Sequence, residues 1–378
     1  MSTIKVNSIK NTSTNDGGIA IDNSGHVQVD GQQLPTAGAL GHRNLLINGA
    51  MNVAQRATSK TGITLSEHPT VDRMVLGVSN CGTWTSTQES DGPTGFSNSF
   101  KMLCTTADAS PAANDFAVFQ YFFEAQDLQH LNYGTSDAVP VTVSFWVKSN
   151  KTGNASFAAL QFDASNRTFS KQYTINAANT WEYKTITIPA DASGQIDDDN
   201  DKGLLIEWWC NSGTDFSSGS HPTTWTAQDD TDRNATNIGI GQAVNDYFQI
   251  TGIQLEVGEK ATSFEHRSYG DELARCQRYY IKYVQQGCSG FIETASADEA
   301  ALTHHLPVPM RATPSATCTT ASGIGVERGS LYGIDSTTGS VSWIYGNNVQ
   351  VNWSLDTALT RWHTTWCRVQ NVQFSAEL

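Results

Sequence analysis

Apolar residues stand at every second position through Val141, Val143, Phe145 and Val147, with Thr142, Ser144, Trp146 and Lys148 between them. A period of two belongs to a strand, whose successive side chains leave the backbone on opposite faces; a helix returns to one face only every 3.6 residues or so. The same period runs through Trp181, Tyr183, Thr185 and Thr187 against Glu182, Lys184, Ile186 and Ile188, and through Leu204, Ile206 and Trp208 against Leu205, Glu207 and Trp209. These are strands covered on one or both faces. Turn-rich clusters at 148–154 and 217–222 separate such runs, and the chain carries 31 Gly and only 16% charged residues. That profile predicts a mainly β protein built on a jelly-roll sandwich. The aromatic stretch 119–129 reads as a core strand running into a short turn or helix.

A length of 378 residues allows two or three folded units. Residues 1–42 hold only short alternations, at Ile4, Val6 and Ile9, at Ile19 and Ile21, and at Val27 and Val29. None is long enough to bury a core, so the segment is expected either to stay disordered or to form oligomerising strands that pair with copies of itself. Residues 35–41 read as a linker, and 43–267 as the sandwich. The sandwich closes on Ile253, Leu255 and Val257, which alternate with Gln254 and Glu256 before Gly258.

Ser268 then stands three residues before Asp271, as at the start of a capped helix, and Leu273, Cys276, Tyr279, Tyr280 and Tyr283 recur at helical spacing. A short linking helix over 268–285, of about three turns, is therefore predicted. Proline punctuation at 306–314 forbids helix there, and alternations at 340–345, 349–355 and 369–374 predict a small C-terminal β domain over 286–378.

A net charge of −14 argues against a nucleic-acid partner, which would need clustered cations to displace counterions from phosphate. No apolar run approaches the length of a membrane span, so no membrane insertion is expected, and the first residues lack the apolar core of a signal peptide. The seven cysteines, Cys81, Cys104, Cys210, Cys276, Cys288, Cys318 and Cys367, are odd in number and form no C-x-x-C pair. They are expected to act as small buried hydrophobes in a chain assembled in a reducing compartment.

The segment Asn44-Leu45-Leu46-Ile47-Asn48-Gly49-Ala50-Met51-Asn52-Val53-Ala54-Gln55-Arg56, the pair Asp72-Arg73, the strand from Val143 to Ser149 and the closing Ile253-Gln254-Leu255-Glu256-Val257-Gly258 come in an order that resembles phage tail-fibre proteins. Those proteins contain a jelly roll like a carbohydrate-binding module, and the likeness spans roughly two-thirds of the chain. Met74 departs from the pattern, where Trp after Asp-Arg is more usual. Residues 1–42 resemble N-terminal segments by which virion proteins of marine phages attach to the particle, usually as trimers. The ending Phe374-Ser375-Ala376-Glu377-Leu378 is similar to that of the same proteins.

The resemblance implies a virion structural protein of the phage tail, assembled in the host cytoplasm as a homotrimer. It would join phage tail or adaptor proteins through residues 1–42 and attach to a host surface glycan without enzymatic activity. A purely structural adaptor or capsid-attached fibre is the alternative. A glycan-depolymerising tailspike would call for a solenoid repeat, which this sequence lacks.

Sugar faces stack on aromatic rings, so tryptophans outside any strand alternation are the candidate glycan residues. Trp225, among polar neighbours in the loop 221–229, is the foremost; Trp209 and Trp84 are weaker, and Trp146, Trp181 and Trp208 are expected to pack within strands. The C-terminal Trp343, Tyr345, Trp353, Trp362 and Trp366 are expected in core and subunit interface. No cofactor is required by any motif. Calcium is one reading of Asp197, Asp199 and Asp201, whose alternate oxygens could meet on a hard cation; the other is a solvated inter-strand loop, because the following glycine and the missing Glu break the EF-hand pattern. The pair His304-His305 is expected to be structural, since adjacent strand residues face opposite ways.

Overall fold

The computed structural model describes residues 8–10, 18–21, 27–29, 32–33, 42–163, 166–291, 299–318, 322–326, 330–333, 338–354 and 364–378. The protein is mainly β. It divides into two compact units. The first comprises Met1–Asn52, Ser59–Glu67 and Met74–His266; the second comprises Val53–Thr58, His68–Arg73 and Arg267–Leu378.

Four short strands open the first unit: β1 (Ser8–Lys10), β2 (Gly18–Ile21), β3 (Val27–Val29) and β4 (Gln32–Gln33). They form an antiparallel meander in that order. Each described strand finds a neighbour in the same chain. Ile9 lies opposite Ile19, and Ile21 opposite Val27.

The sandwich is built from β5 (Ser59–Glu67), β6 (Val75–Glu89), β7 (Ser99–Thr106), β8 (Phe116–Glu124), β9 (Val141–Ser149), β10 (Gly153–Gln161), β11 (Arg167–Ile175), β12 (Glu182–Ile188), β13 (Lys202–Ser212), β14 (Thr226–Ala227) and β15 (Tyr247–Val257). One layer runs β12-β9-β15-β7-β6 and the other β6-β8-β13-β10-β11-β14, with every pairing antiparallel. The long β6 belongs to both layers: Thr83–Glu89 pairs with β7, while Val75–Asn80 pairs with β8. Its bend falls at Asn80 and Gly82, both at positive φ. β5 pairs along β6, and β8 runs into a 3₁₀ turn at Ala125–Leu131.

Aromatic rings fill the space between the layers. Phe145 of β9 lies 5.4 Å from Trp208 of β13 and 5.4 Å from Tyr173 of β11, and Trp208 also meets Phe119 and Phe157 at 5.3 and 5.4 Å. All are buried. The other face of β13 is covered as well. There Leu205 and Trp209 cluster with Val118, Ala158 and Leu160 beneath Phe116 and Phe216, the latter in the one-turn helix α1 (Thr214–Ser217). Glu207, on that same face, is buried; its carboxylate takes Arg233 Nη2 at 2.7 Å, Arg233 Nε at 3.0 Å and Gln120 Nε2 at 2.7 Å. Burial of such a carboxylate is tolerable only with these donors.

The opening and closing motifs of the sandwich meet in space. Asn44 is buried; its Nδ2 donates to Ile253 O at 3.0 Å, and its Oδ1 accepts from Leu46 N and Leu255 N at 3.0 and 3.1 Å. Ile253 N in turn donates to Gly49 O at 3.0 Å. Gly49 faces the bulge of β15 so closely that a Cβ there would stand 2.1 Å from Ile253 O. Only glycine allows this approach.

The second unit begins its C-terminal portion with the helix α2 (Tyr269–Gln277), whose Ser268 Oγ accepts from Asp271 N at 3.2 Å. The helix predicted over 268–285 is therefore shorter than expected. Tyr280 opens the strand β16 (Tyr280–Phe291), which is followed by β17 (Glu299–His305), β18 (Ser315–Cys318), β19 (Ser322–Val326), β20 (Ser330–Gly333), β21 (Thr338–Tyr345), β22 (Asn348–Ser354) and β23 (Thr364–Ser375). The aromatic and β-branched run from Tyr279 to Val284 prefers an extended backbone, and β16 gains a ladder with β23 that extends from Tyr280 opposite Ser375 to Phe291 opposite Thr364. Tertiary pairing overrides the helical spacing of the tyrosines.

β16-β17-β22-β21-β18-β23 close into a barrel, with β19 and β20 as a separate hairpin. Ile281, Leu302, Val351, Trp353, Val372 and Phe374 fill the barrel core. His304 is buried and its ring lies 5.2 Å from Phe374; burial lowers its pKa to about 4. His305 is exposed. Trp353 is core, Tyr345 is exposed, and the side chains of Trp343, Trp362 and Trp366 lie outside the described residues.

A buried ion cluster fastens this unit. Glu377 receives Arg73 Nη1 at 2.6 Å and Arg56 Nη2 at 2.9 Å, with His68 Nε2 at 3.8 Å. The Arg73 guanidinium lies 3.5 Å over the Tyr279 ring, and that of Arg56 3.5 Å over Tyr280. Asp72 accepts from Gln55 N at 2.9 Å and from Gln55 Nε2 at 2.5 Å. The Asp72-Arg73 pair of the sequence motif thus serves the second unit rather than the sandwich.

Candidate functional site

None of the three tryptophans expected to carry sugar presents a face to solvent. Trp225 is 5% exposed: its Nε1 donates to Pro189 O at 2.8 Å, and its ring packs at 6.2 Å from Tyr133 and 6.1 Å from Phe169. Polar neighbours in sequence signalled a loop, but the loop folds its ring inward. Trp209 is 1% exposed, wedged between Phe116 and Phe216 with Arg233 over its ring. Trp84 is fully buried, bonded to Cys81 O and packed where Gly241 leaves room for it. Trp225→Phe is expected to keep the fold and to lower stability by about 1 kcal/mol, the weight of one buried hydrogen bond, in a urea melt.

Asp197, Asp199 and Asp201 do not converge. Asp199 Oδ1 accepts from Asp201 N at 2.9 Å, Asp197 Oδ1 accepts from Gln195 Nε2 at 3.2 Å, and all three are exposed. Among the described residues no group of three or more His, Cys, Asp or Glu side chains is placed to hold a metal ion. The segment is a self-bonded surface loop: alternate residues here bend the backbone through its own N–H groups. Their charges do reach Asp163, whose pKa is raised by burial first and then by these carboxylates. Cys81, Cys104, Cys210, Cys276 and Cys318 are buried free thiols.

The half-exposed rings lie on the solvent face of the first layer. In β9, Phe145 and Val147 point into the core, so Trp146 and Lys148 point outward. Cross-strand partners share a face, which places Tyr183 beside Trp146, and Gln249 and then Lys101 beside Lys148. Tyr183 is 45% exposed and its ring lies 5.3 Å from that of Trp146. On the other side, Phe96 and Trp146 both settle over the bare Gly252, where a Cβ would stand 2.7 Å from Phe96 Cζ and 3.0 Å from Trp146 Cδ1. Phe96 meets Phe264 at 4.9 Å, and Phe264 meets the exposed His266 at 4.8 Å. The result is a track of rings, Tyr183, Trp146, Phe96, Phe264 and His266.

Polar groups border this track in fixed positions. Asp91 accepts from Lys148 Nζ at 2.8 Å, Gln249 Nε2 at 3.2 Å and Trp181 Nε1 at 3.4 Å. The hydrogen bond from Lys148 is the main reason its pKa is lowered. Gln249 is held in turn by Ser99 Oγ at 2.7 Å. The nearby cations are paired, Lys101 with Glu89 at 3.4 Å and Lys184 with Glu182 at 2.6 Å. The surface therefore offers apolar ring faces, hydrogen-bonding groups and little net charge.

A cleft of about 510 Å³ lies where β11 and β12 of the two layers approach. Phe169, Pro140, Pro189 and Pro222 give it apolar walls, and Lys171, Thr187, Thr223 and Glu259 contribute polar groups. The loop singled out by Trp225 does reach a candidate site, through His221, Pro222 and Thr223 instead of the tryptophan itself.

No family model matches the chain, and no curated protein matches it. Among solved structures it is similar to the enzymatically active domain of tailspike protein 4 from bacteriophage CBA120, at 12% identity and a TM-score of 0.28 over 57% of this chain. The match covers 21% of that tailspike chain. It is also similar to a family 11 carbohydrate-binding module from Clostridium thermocellum in complex with a β-1,3-1,4-mixed-linked tetrasaccharide, at 12% identity and a TM-score of 0.27, over 56% of this chain and 99% of that one. A CBM22-1 xylan-binding domain from Paenibacillus barcinonensis matches at 10% identity and a TM-score of 0.26, over 60% of this chain and 100% of the other. At such scores the fold of this chain rests on its own strand pairing.

Proposed function

We propose that this protein binds a neutral glycan on the ring track of the sandwich, and that it does so as a non-enzymatic fibre protein of a phage particle. The observation that carries the first part is the pair formed by Tyr183, 45% exposed, and the partly buried Trp146, whose rings lie 5.3 Å apart on the outer face of the first layer. Two large rings left uncovered on a strand face are a cost unless something covers them, and sugar faces match them in polarity. Asp91, Lys148 and Gln249 stand beside the rings to meet hydroxyls. A chain of net charge −14 repels polyanions, and the paired cations of the face offer them no compensating site, so the ligand is uncharged.

The virion part rests on the sequence motifs that resemble tail fibres. Homotrimerisation would set copies of one weak site at fixed spacing and raise avidity without new contacts. Electrophoresis through gels containing neutral polysaccharides tests the binding: the wild-type chain is retarded, independently of salt, and Trp146→Ala binds roughly 30- to 150-fold more weakly, a loss of about 2–3 kcal/mol. Unretarded wild-type protein on every neutral glycan would refute it. Immunogold labelling of phage particles tests the virion assignment, with label on the tail expected, and label on the capsid favouring the capsid-attached alternative.

A further inference from the structure

We propose that the cleft between β11 and β12 is an end-recognition subsite, which takes the terminal hexose of a neutral glycan whose preceding residues lie on the ring track. This rests on the glycan reading above and adds to it which part of the chain is recognised. Thr187 joins the two places. It lines the cleft, and it lies four residues along β12 from Tyr183 on the same outward face, roughly 13 Å away at about 3.3 Å per residue.

The cleft is firmly built. Pro189 O accepts from both Trp225 Nε1 at 2.8 Å and Tyr133 Oη at 3.4 Å, which fixes one wall. His221, which also lines the cleft, is held on both ring nitrogens, by Ser170 Oγ at 2.8 Å and Thr236 Oγ1 at 3.1 Å. His221, Pro222 and Thr223 bound the cleft, and in this proposal the glycan ends against them instead of passing through. Phe169 and the prolines supply an apolar lining for one sugar ring.

Among the described residues no hydrogen bond or ion pair engages the Lys171 ammonium, the Thr223 hydroxyl or the Glu259 carboxylate, and all three are exposed at the rim. One donor, one acceptor and one group that is both suit the hydroxyls of an uncharged sugar. A free carboxylate or amine on the ligand would meet one attractive and one repulsive charge.

Isothermal titration of the full chain with cellohexaose, mannohexaose and maltohexaose identifies the sugar bound; the trimer, hexamer and soluble polymer of that linkage are then titrated in turn. One protein per glycan chain at every length is expected, and the Lys171→Ala/Glu259→Gln variant should bind the hexamer about tenfold more weakly, the weight of two hydrogen bonds. Stoichiometry that grows with chain length, or wild-type affinity in that variant, would overturn the end-recognition subsite while leaving a Trp146-dependent glycan site in place. If none of the hexamers binds, or if Trp146→Ala binds as wild type does, the glycan reading falls and this inference with it.

Discussion

Glu377→Ala is expected to destabilise the C-terminal unit by about 3–5 kcal/mol, the cost of removing one partner from a buried ion pair. The carboxylate bonds to Arg73 at 2.6 Å and to Arg56 at 2.9 Å, and Arg73 is 1% exposed, so the variant takes from two guanidinium groups stacked on tyrosines the carboxylate they share, and leaves Arg56 with Asp72 at 3.8 Å. A denaturant melt followed by near-UV circular dichroism, which reports the packed rings of the barrel, measures the loss. Wild-type stability would contradict it.

The same cluster makes stability depend on pH in two opposed ways. Burial works to raise the Glu377 carboxyl, but the charges of His68, Arg73 and Arg56 prevail and hold it at about 2. Its contribution is therefore complete above about 4.5 and lost as pH falls towards 2. Burial dominates at Asp72 and raises it to about 6, against the bonds from Gln55 and the charge of Arg56. The folded state keeps a proton there that the unfolded chain has lost, so the Asp72 contribution declines as pH rises from about 4 to 6.

The second large effect is expected at Gly49. Alanine there would place a carbon 2.1 Å from the carbonyl oxygen of Ile253, a backbone atom at the bulge of β15 that already accepts from Asn44 Nδ2, so the strand or the opening segment must move. A loss of about 3 kcal/mol or more follows, at the upper end of overpacking costs. Gly270 is the control. It lies in α2 without a positive φ, and a Cβ there would meet nothing within 4 Å, so Gly270→Ala should stabilise by about 0.5–1 kcal/mol. Thermal melts of both variants separate close approach from generic loss of glycine.

These effects show how unevenly the sequence reveals its own structure. The alternation at Val141 to Lys148 predicts strand, core face and wet face alike, because the period of two survives tertiary context. Trp146 shares the parity of Thr142, Ser144 and Lys148, and that parity marks it as outward-facing even though its size suggests packing. Tyr183 follows from its register with Trp146, which only the folded sheet defines. Phe96 and Phe264 come from loops, where no period operates; only a bare glycine at 252 hints that rings approach the backbone there.

Trp225 illustrates the opposite failure. Polar neighbours indicate that a segment is a loop, yet they do not say on which side its largest residue falls, and an inward ring with its N–H bonded to Pro189 O satisfies both burial and polarity. The tyrosines after α2 fit helical spacing equally well, and a long-range ladder with β23 decides against it. Glu377 lies far along the chain from its partners Arg56 and Arg73, so no local pattern could announce the cluster.

In the proposed function, the outward rings of the first layer hold sugar. A structure of the protein with the hexaose selected by titration tests it most directly. Sugar rings are expected to stack over Trp146 and Tyr183, with hydroxyls bonded to Asp91, Lys148 or Gln249 and the glycan terminus in the cleft beside Phe169. An oligosaccharide seated elsewhere, with Trp146 and Tyr183 bare, would contradict it.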